Sequence, residues 1–181
     1  MSKWSGIKGV LLDLSGTLHI DDKVTPKATT ALNKLRQAGV KVRFVTNSTK
    51  TSDERLYQKL VKLGFDLKKD EIWTSLSAAK RLVQRRNYRP LLLLEDTALE
   101  QFEDIDTSPP HNAVVVGLAP SKFNYYTLNQ AFRLLLEGKP LVGIHKARYF
   151  ASAENELSMG PGGFVTALEY AAGVKSELVG K

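Results

Sequence analysis

Apolar residues along the chain come in short runs, and polar, glycine-rich breaks separate them. Val10-Leu11-Leu12 closes on Asp13-Leu14-Ser15-Gly16-Thr17, which predicts a buried strand over 8–14. Ala28, Ala31, Leu32 and Leu35 share one face of a helix over 25–38, with Thr25 as cap, Pro26 in the first turn and Gly39 as stop. Lys-Val-Arg-Phe-Val at 41–45, ending on Thr46-Asn47, is a second strand. Leu56, Leu60 and Leu63 place a helix between a Ser52 cap and Gly64, and 71–74 reads as a third strand. Beyond Ser75 the pattern restarts: helices at 77–86, 125–137 and 161–172, and strands at 90–94, 113–116, 141–144 and 177–179. Strand and helix alternate throughout, so the expected class is α/β with a parallel sheet.

The chain has 181 residues, 43% hydrophobic and 25% charged, enough for one good core or two small domains. No apolar run approaches the ~20 residues of a membrane helix. The N-terminal MSKWSGIKG carries no secretory signal pattern. The absence of cysteine rules out disulfides, thiolate metal sites and a cysteine nucleophile, and it fits a reducing, cytoplasmic setting. The net charge of +7 suits an anionic substrate or nucleic acid. The basic residues are dispersed, however. The densest run, Lys80–Arg89, has the spacing of a solvated helix face, and no basic–aromatic interleaving of the single-strand-binding kind occurs. A nucleic-acid partner and a membrane are therefore not expected. The segmentation is one unit over 1–77, a second over 78–175, and a return to the first at 176–181.

In an open parallel sheet, ligands gather beyond the carboxyl ends of the strands. Asp13 lies at one such end and Thr46 at another. Gly16 permits an unusual turn, so the Ser15, Gly16 and Thr17 amides can face an anion. Asp13 as a turn acid and Thr46-Asn47-Ser48-Thr49 as a helix-capping loop are the plainer alternatives. A carboxylate beside amides and hydroxyls makes chemical sense where a cation or an electrophilic phosphorus sits between them.

The segment Asp13-Leu14-Ser15-Gly16-Thr17 resembles the first motif of the haloacid dehalogenase-like hydrolases, usually Asp-x-Asp-Gly-Thr. Val45-Thr46-Asn47 resembles their second motif, and Val179-Gly180-Lys181 their lysine-bearing third. The segment between the second and third motifs is similar to the cap of the large-cap phosphatase branch. The resemblance implies a Rossmann-like core with an inserted α/β cap. It also implies an aspartyl-phosphate mechanism on small phosphorylated substrates, and a homodimer formed through the cap. By the same resemblance Asp13 is the nucleophile. Its second oxygen and the Ser15 backbone carbonyl bind Mg²⁺, Leu14 and Ser15 lie in the phosphate loop, Thr46 and the Asn47 amide hold the phosphoryl group, and Lys181 neutralises charge.

Two departures from the family pattern change the expectation. Ser15 stands where the family has its acid–base carboxylate, a loss worth ~10²–10⁴-fold in rate. The family's fourth motif is absent, so the core is expected to be incomplete, the 8–14 strand to have an open edge, and turnover to be weak, as in a fragment or shortened isoform. The rival reading is an impaired relative that binds a phosphate ligand or a protein. His145, Lys146 and Arg148 resemble the cap's substrate loop; a solvated basic loop is the alternative. Gly160-Pro161-Gly162-Gly163 opens a helix and is read as a tight turn rather than an anion site. His19 is taken as an ordinary loop histidine, His111 as surface, and Trp4 and Trp73 as packing residues.

Overall fold

The computed structural model describes residues 6–151 and 156–180. They fall into two compact units. The first holds residues up to Thr46 together with Asp53–Trp73; the second holds Asn47–Ser52 together with residues from Thr74 onward.

In the first unit, β1 (Gly9–Leu12) leads through a turn to the hairpin β2 (His19–Ile20) and β3 (Lys23–Val24), which the apolar pattern does not announce. Next come α1 (Ala28–Gln37), β4 (Lys41–Thr46), α2 (Asp53–Lys62) and β5 (Ile72–Thr74). β1 and β4 are parallel, in the register Gly9↔Lys41 to Leu12↔Phe44, and the sheet order is β1-β4-β5. Phe44, Leu14, Leu32 and Leu60 fill the core, with α1 and α2 supplying Leu32 and Leu60. The Arg36 guanidinium donates to both Glu71 oxygens, at 2.7 and 3.2 Å, and to the Asp66 carbonyl.

Three sequence expectations need correction in this unit. β1 is only half-buried rather than buried, with Leu11 73% exposed, because it lies at the edge of its sheet, the open edge expected of the 8–14 strand. Thr25 does not cap α1: the helix begins two residues later, with Lys27 at its N-cap in a left-handed conformation (φ 66°), and the buried Thr25 hydroxyl has no partner among the described residues. Trp73 is 40% exposed rather than packed.

The second unit contains α3 (Ser75–Arg85), β6 (Pro90–Leu93), the short α4 (Asp96–Leu99), β7 (Ala113–Val116), α5 (Tyr125–Leu136), β8 (Leu141–Gly143), the hairpin β9 (Tyr149–Ala151) and β10 (Leu157–Met159), α6 (Gly162–Ala172) and β11 (Glu177–Leu178). Its sheet has the order β11-β8-β7-β6 and is parallel throughout. β7 is apolar at all four positions because both of its faces are covered. Val115 and Val142 pack with Leu76, Ala79 and Val83 of α3, while Val114, Val116 and Leu141 pack with Ala131 and Leu135 of α5 and Val165 and Leu168 of α6. This alternation is the two-residue period of a strand. α3 starts at Ser75 because Thr74 caps it: the Thr74 hydroxyl accepts from the Ser77 amide, and the Ser77 hydroxyl oxygen accepts the Thr74 amide in return. Residues 177–178, at the place of the expected return to the first unit, pair with β8.

Candidate active site

The parallel pairing of β1 and β4 sends Asp13 and Thr46 out of the same end of adjacent strands. Asp13 is half-buried, and its Oδ1 accepts the Leu14 amide at 3.0 Å. Leu14 is fully buried and anchors the turn: its carbonyl accepts from Thr17, Leu18 and His19. Gly16, at φ 80°, supplies the left-handed residue this turn requires. Thr46 is 4% exposed.

The expected anion nest is not built as the sequence suggested. The Gly16 amide donates to the His19 carbonyl at 2.8 Å and the Thr17 amide to the Leu14 carbonyl at 3.1 Å, so the turn itself consumes them. Ser15 is exposed, and its carbonyl accepts none of the turn's backbone bonds. His19 is buried in β2, with Nδ1 2.9 Å from the Asp21 carbonyl.

A cation at Asp13 and the Ser15 carbonyl would meet hard oxygen donors only. These are the right kind for Mg²⁺, which keeps waters and shares substrate oxygens. Among the described residues, no group of three or more His, Asp or Glu forms a protein-only cage.

In the second unit, Asn47 lies against Gly180. The Gly180 amide donates to the Ile144 carbonyl at 2.8 Å. A Cβ on Gly180 would lie 2.5 Å from that carbonyl and 2.8 Å from Asn47 Oδ1, so only glycine allows this approach. Lys181 lies outside the described residues, as does Trp4.

His145, Lys146 and Arg148 are not a uniform basic loop. His145 is 7% exposed, and burial lowers its pKa. Lys146 pairs with Glu169 of α6 at 2.7 Å. Burial pushes the Glu169 carboxyl up, but the Lys146 ammonium and the Ser176 hydroxyl and amide outweigh it and bring the pKa down to about 2. Arg148 is exposed. The turn at Gly160–Gly163 is a packing device: the Gly160 and Gly162 amides donate to the Arg148 and Ala147 carbonyls, and a Cβ on Gly162 would sit 2.6 Å from the Lys146 carbonyl. His111 is half-buried rather than on the surface.

A cavity of about 510 Å³ in this unit is lined by Lys50, Glu95, Leu118, Pro120, Ser121 and Phe150. The Lys50 ammonium lies 4.5 Å over the Phe150 ring, and the Glu95 carboxylate accepts from the Ser121 amide and hydroxyl. None of these six stood out in the sequence, because the residues that make the cavity are separated by up to a hundred positions and form no local motif.

The family model described as haloacid dehalogenase-like hydrolase matches residues 10–108. The human protein named haloacid dehalogenase-like hydrolase domain-containing protein 2 is 56% identical over 181 residues, which is 100% of this chain and 69% of that protein. A zebrafish (Danio rerio) protein named phospholysine phosphohistidine inorganic pyrophosphate phosphatase is 38% identical, over 97% of this chain and 66% of its own length. Among solved structures, a 4-nitrophenylphosphatase from Thermotoga maritima aligns with a TM-score of 0.86 and 26% identity, over 97% of this chain and 68% of that chain.

Proposed function

Because the chain belongs to the haloacid dehalogenase-like hydrolases, we propose that it is a phosphatase-type hydrolase of small phosphorylated molecules, with Asp13 as nucleophile and Mg²⁺ as its cation. The observation that carries this reading is the shared exit of Asp13 and Thr46 from neighbouring parallel strands, where α/β sheets place their ligands. The names of the relatives point the same way.

An Asp13 carboxylate oxygen forms a bond to phosphorus while the bond from phosphorus to the leaving-group oxygen breaks. Water then attacks the aspartyl-phosphate, releases inorganic phosphate and restores Asp13. Thr46 holds the transferring group through its hydroxyl, Asn47 through its amide, and Lys181 through its charge. When bound, Mg²⁺ supplies charge neutralisation at the phosphoryl oxygens. Asp13 and the Ser15 carbonyl are the residues that would hold it.

Ser15 sets the substrate range. A hydroxyl is too weak an acid to protonate a departing alkoxide, so leaving groups that depart readily as anions are favoured.

The test is Mg²⁺-dependent phosphate release from an aryl phosphate, with Asp13→Asn alongside. Release that disappears in Asp13→Asn and in chelator supports the mechanism. Release that survives Asp13→Asn refutes it.

A further inference from the structure

We infer that Thr49 is a positioning residue: it pins the 47–52 loop to the carboxyl ends of the two central strands of the second unit and thereby sets where the Asn47 amide lies. This rests on the phosphatase reading only for the consequence in catalysis, not for the anchoring itself.

Thr49 is 2% exposed in a polar loop. Its Oγ1 accepts the amide of Leu118, just past β7, at 3.2 Å. His145, just past β8, places Nε2 3.4 Å from the same oxygen. The His145 ring has a defined role here. Its Nδ1 accepts the Ala147 amide at 3.3 Å, so the ring proton sits on Nε2 and donates to Thr49. One hydroxyl oxygen thus accepts from two buried donors, which come from loops 69 and 96 residues away in sequence.

The rest of the loop is tied nearby. The Thr97 hydroxyl donates to the Lys50 carbonyl at 2.6 Å, the Ser52 amide to the Thr97 carbonyl at 3.0 Å, and the Ser52 hydroxyl to Glu100 at 3.1 Å. Those bonds hold the far half of the loop. Thr49 holds the half next to Asn47. Replacing its oxygen by a methyl would strand both donors without partners.

The experiment compares Thr49→Val, which keeps the shape and removes the acceptor, with Thr49→Ser, which keeps the acceptor. Hydrogen exchange is measured over residues 47–52, together with kcat and KM for an aryl phosphate. The expected result is that Thr49→Val speeds exchange at Asn47 and Ser48 at least tenfold. It should also raise KM at least fivefold, while Thr49→Ser stays within twofold of the parent on both readouts. Unchanged exchange in Thr49→Val overturns the proposal. Equal effects of Val and Ser overturn it too, because the methyl packing rather than the oxygen would then matter. If the parent chain turns nothing over, the phosphatase reading fails, and hydrogen exchange still decides the anchoring.

Discussion

Glu169 offers a stability test whose size and pH dependence both follow from its contacts. The carboxylate takes the Lys146 ammonium at 2.7 Å, the Ser176 hydroxyl at 2.6 Å and the Ser176 amide at 3.0 Å, and its side chain is 16% exposed. Its pKa is held at about 2 against an ordinary 4.5. At about 1.4 kcal/mol per unit, that depression corresponds to roughly 3 kcal/mol of stabilisation at neutral pH. Lys146 is 31% exposed, and a glutamine could still accept from Ser176, so Glu169→Gln is expected to lose about 2 kcal/mol. The sign is set by linkage. A carboxyl whose folded pKa is depressed stabilises fully above its unfolded value and loses that stabilisation as pH falls toward the folded one. The deficit of Glu169→Gln should therefore be complete at pH 7 and cut to about half or less by pH 3. Calorimetric melts of parent and variant at both pH values read this directly. A loss of about 2 kcal/mol corresponds to roughly 4–8 °C. A deficit below about 0.5 kcal/mol at pH 7, or one that is the same at pH 7 and pH 3, would refute the reasoning.

Other substitutions probe separate links. Ser15→Asp restores a carboxyl at the acid–base position and should raise turnover of alkyl phosphates by ~10²-fold or more, with a smaller gain for aryl phosphates; steady-state rates on both substrates check it, and an equal gain would show that leaving-group protonation is not what Ser15 limits. Gly160→Ala forces a Cβ onto the Ala147 carbonyl and should cost about 1–3 kcal/mol in a urea titration. Phe44→Ala empties the centre of the first unit, where Phe44 is fully buried, and should cost about 3–5 kcal/mol by the same titration.

Local chemistry determined much of this protein. The all-apolar run at 113–116 is the strand β7, because a central parallel strand covered on both faces needs no polar position. The spaced leucines at α2 and the glycines after α1 and α2 marked helices and their ends, since helix periodicity and left-handed C-caps are written in neighbouring residues. The Asp13 and Thr46 strand ends were legible for the same reason, and the ordered motifs identified the family.

Tertiary structure decided the rest, because it depends on residues far apart in the chain. Thr25 is a good capping residue by type, yet α1 starts after Lys27 and the cap is unused. The amides of Gly16 and Thr17 resemble an anion nest in sequence, but the fold spends them on carbonyls of the same turn. Lys146 reads as an unpartnered cation of a basic loop until α6 brings Glu169 against it. His145 reads as a basic loop residue until burial and the Thr49 oxygen settle it as a neutral donor. Charge, in a sequence, has no partner; packing supplies one, and with it the role of the residue.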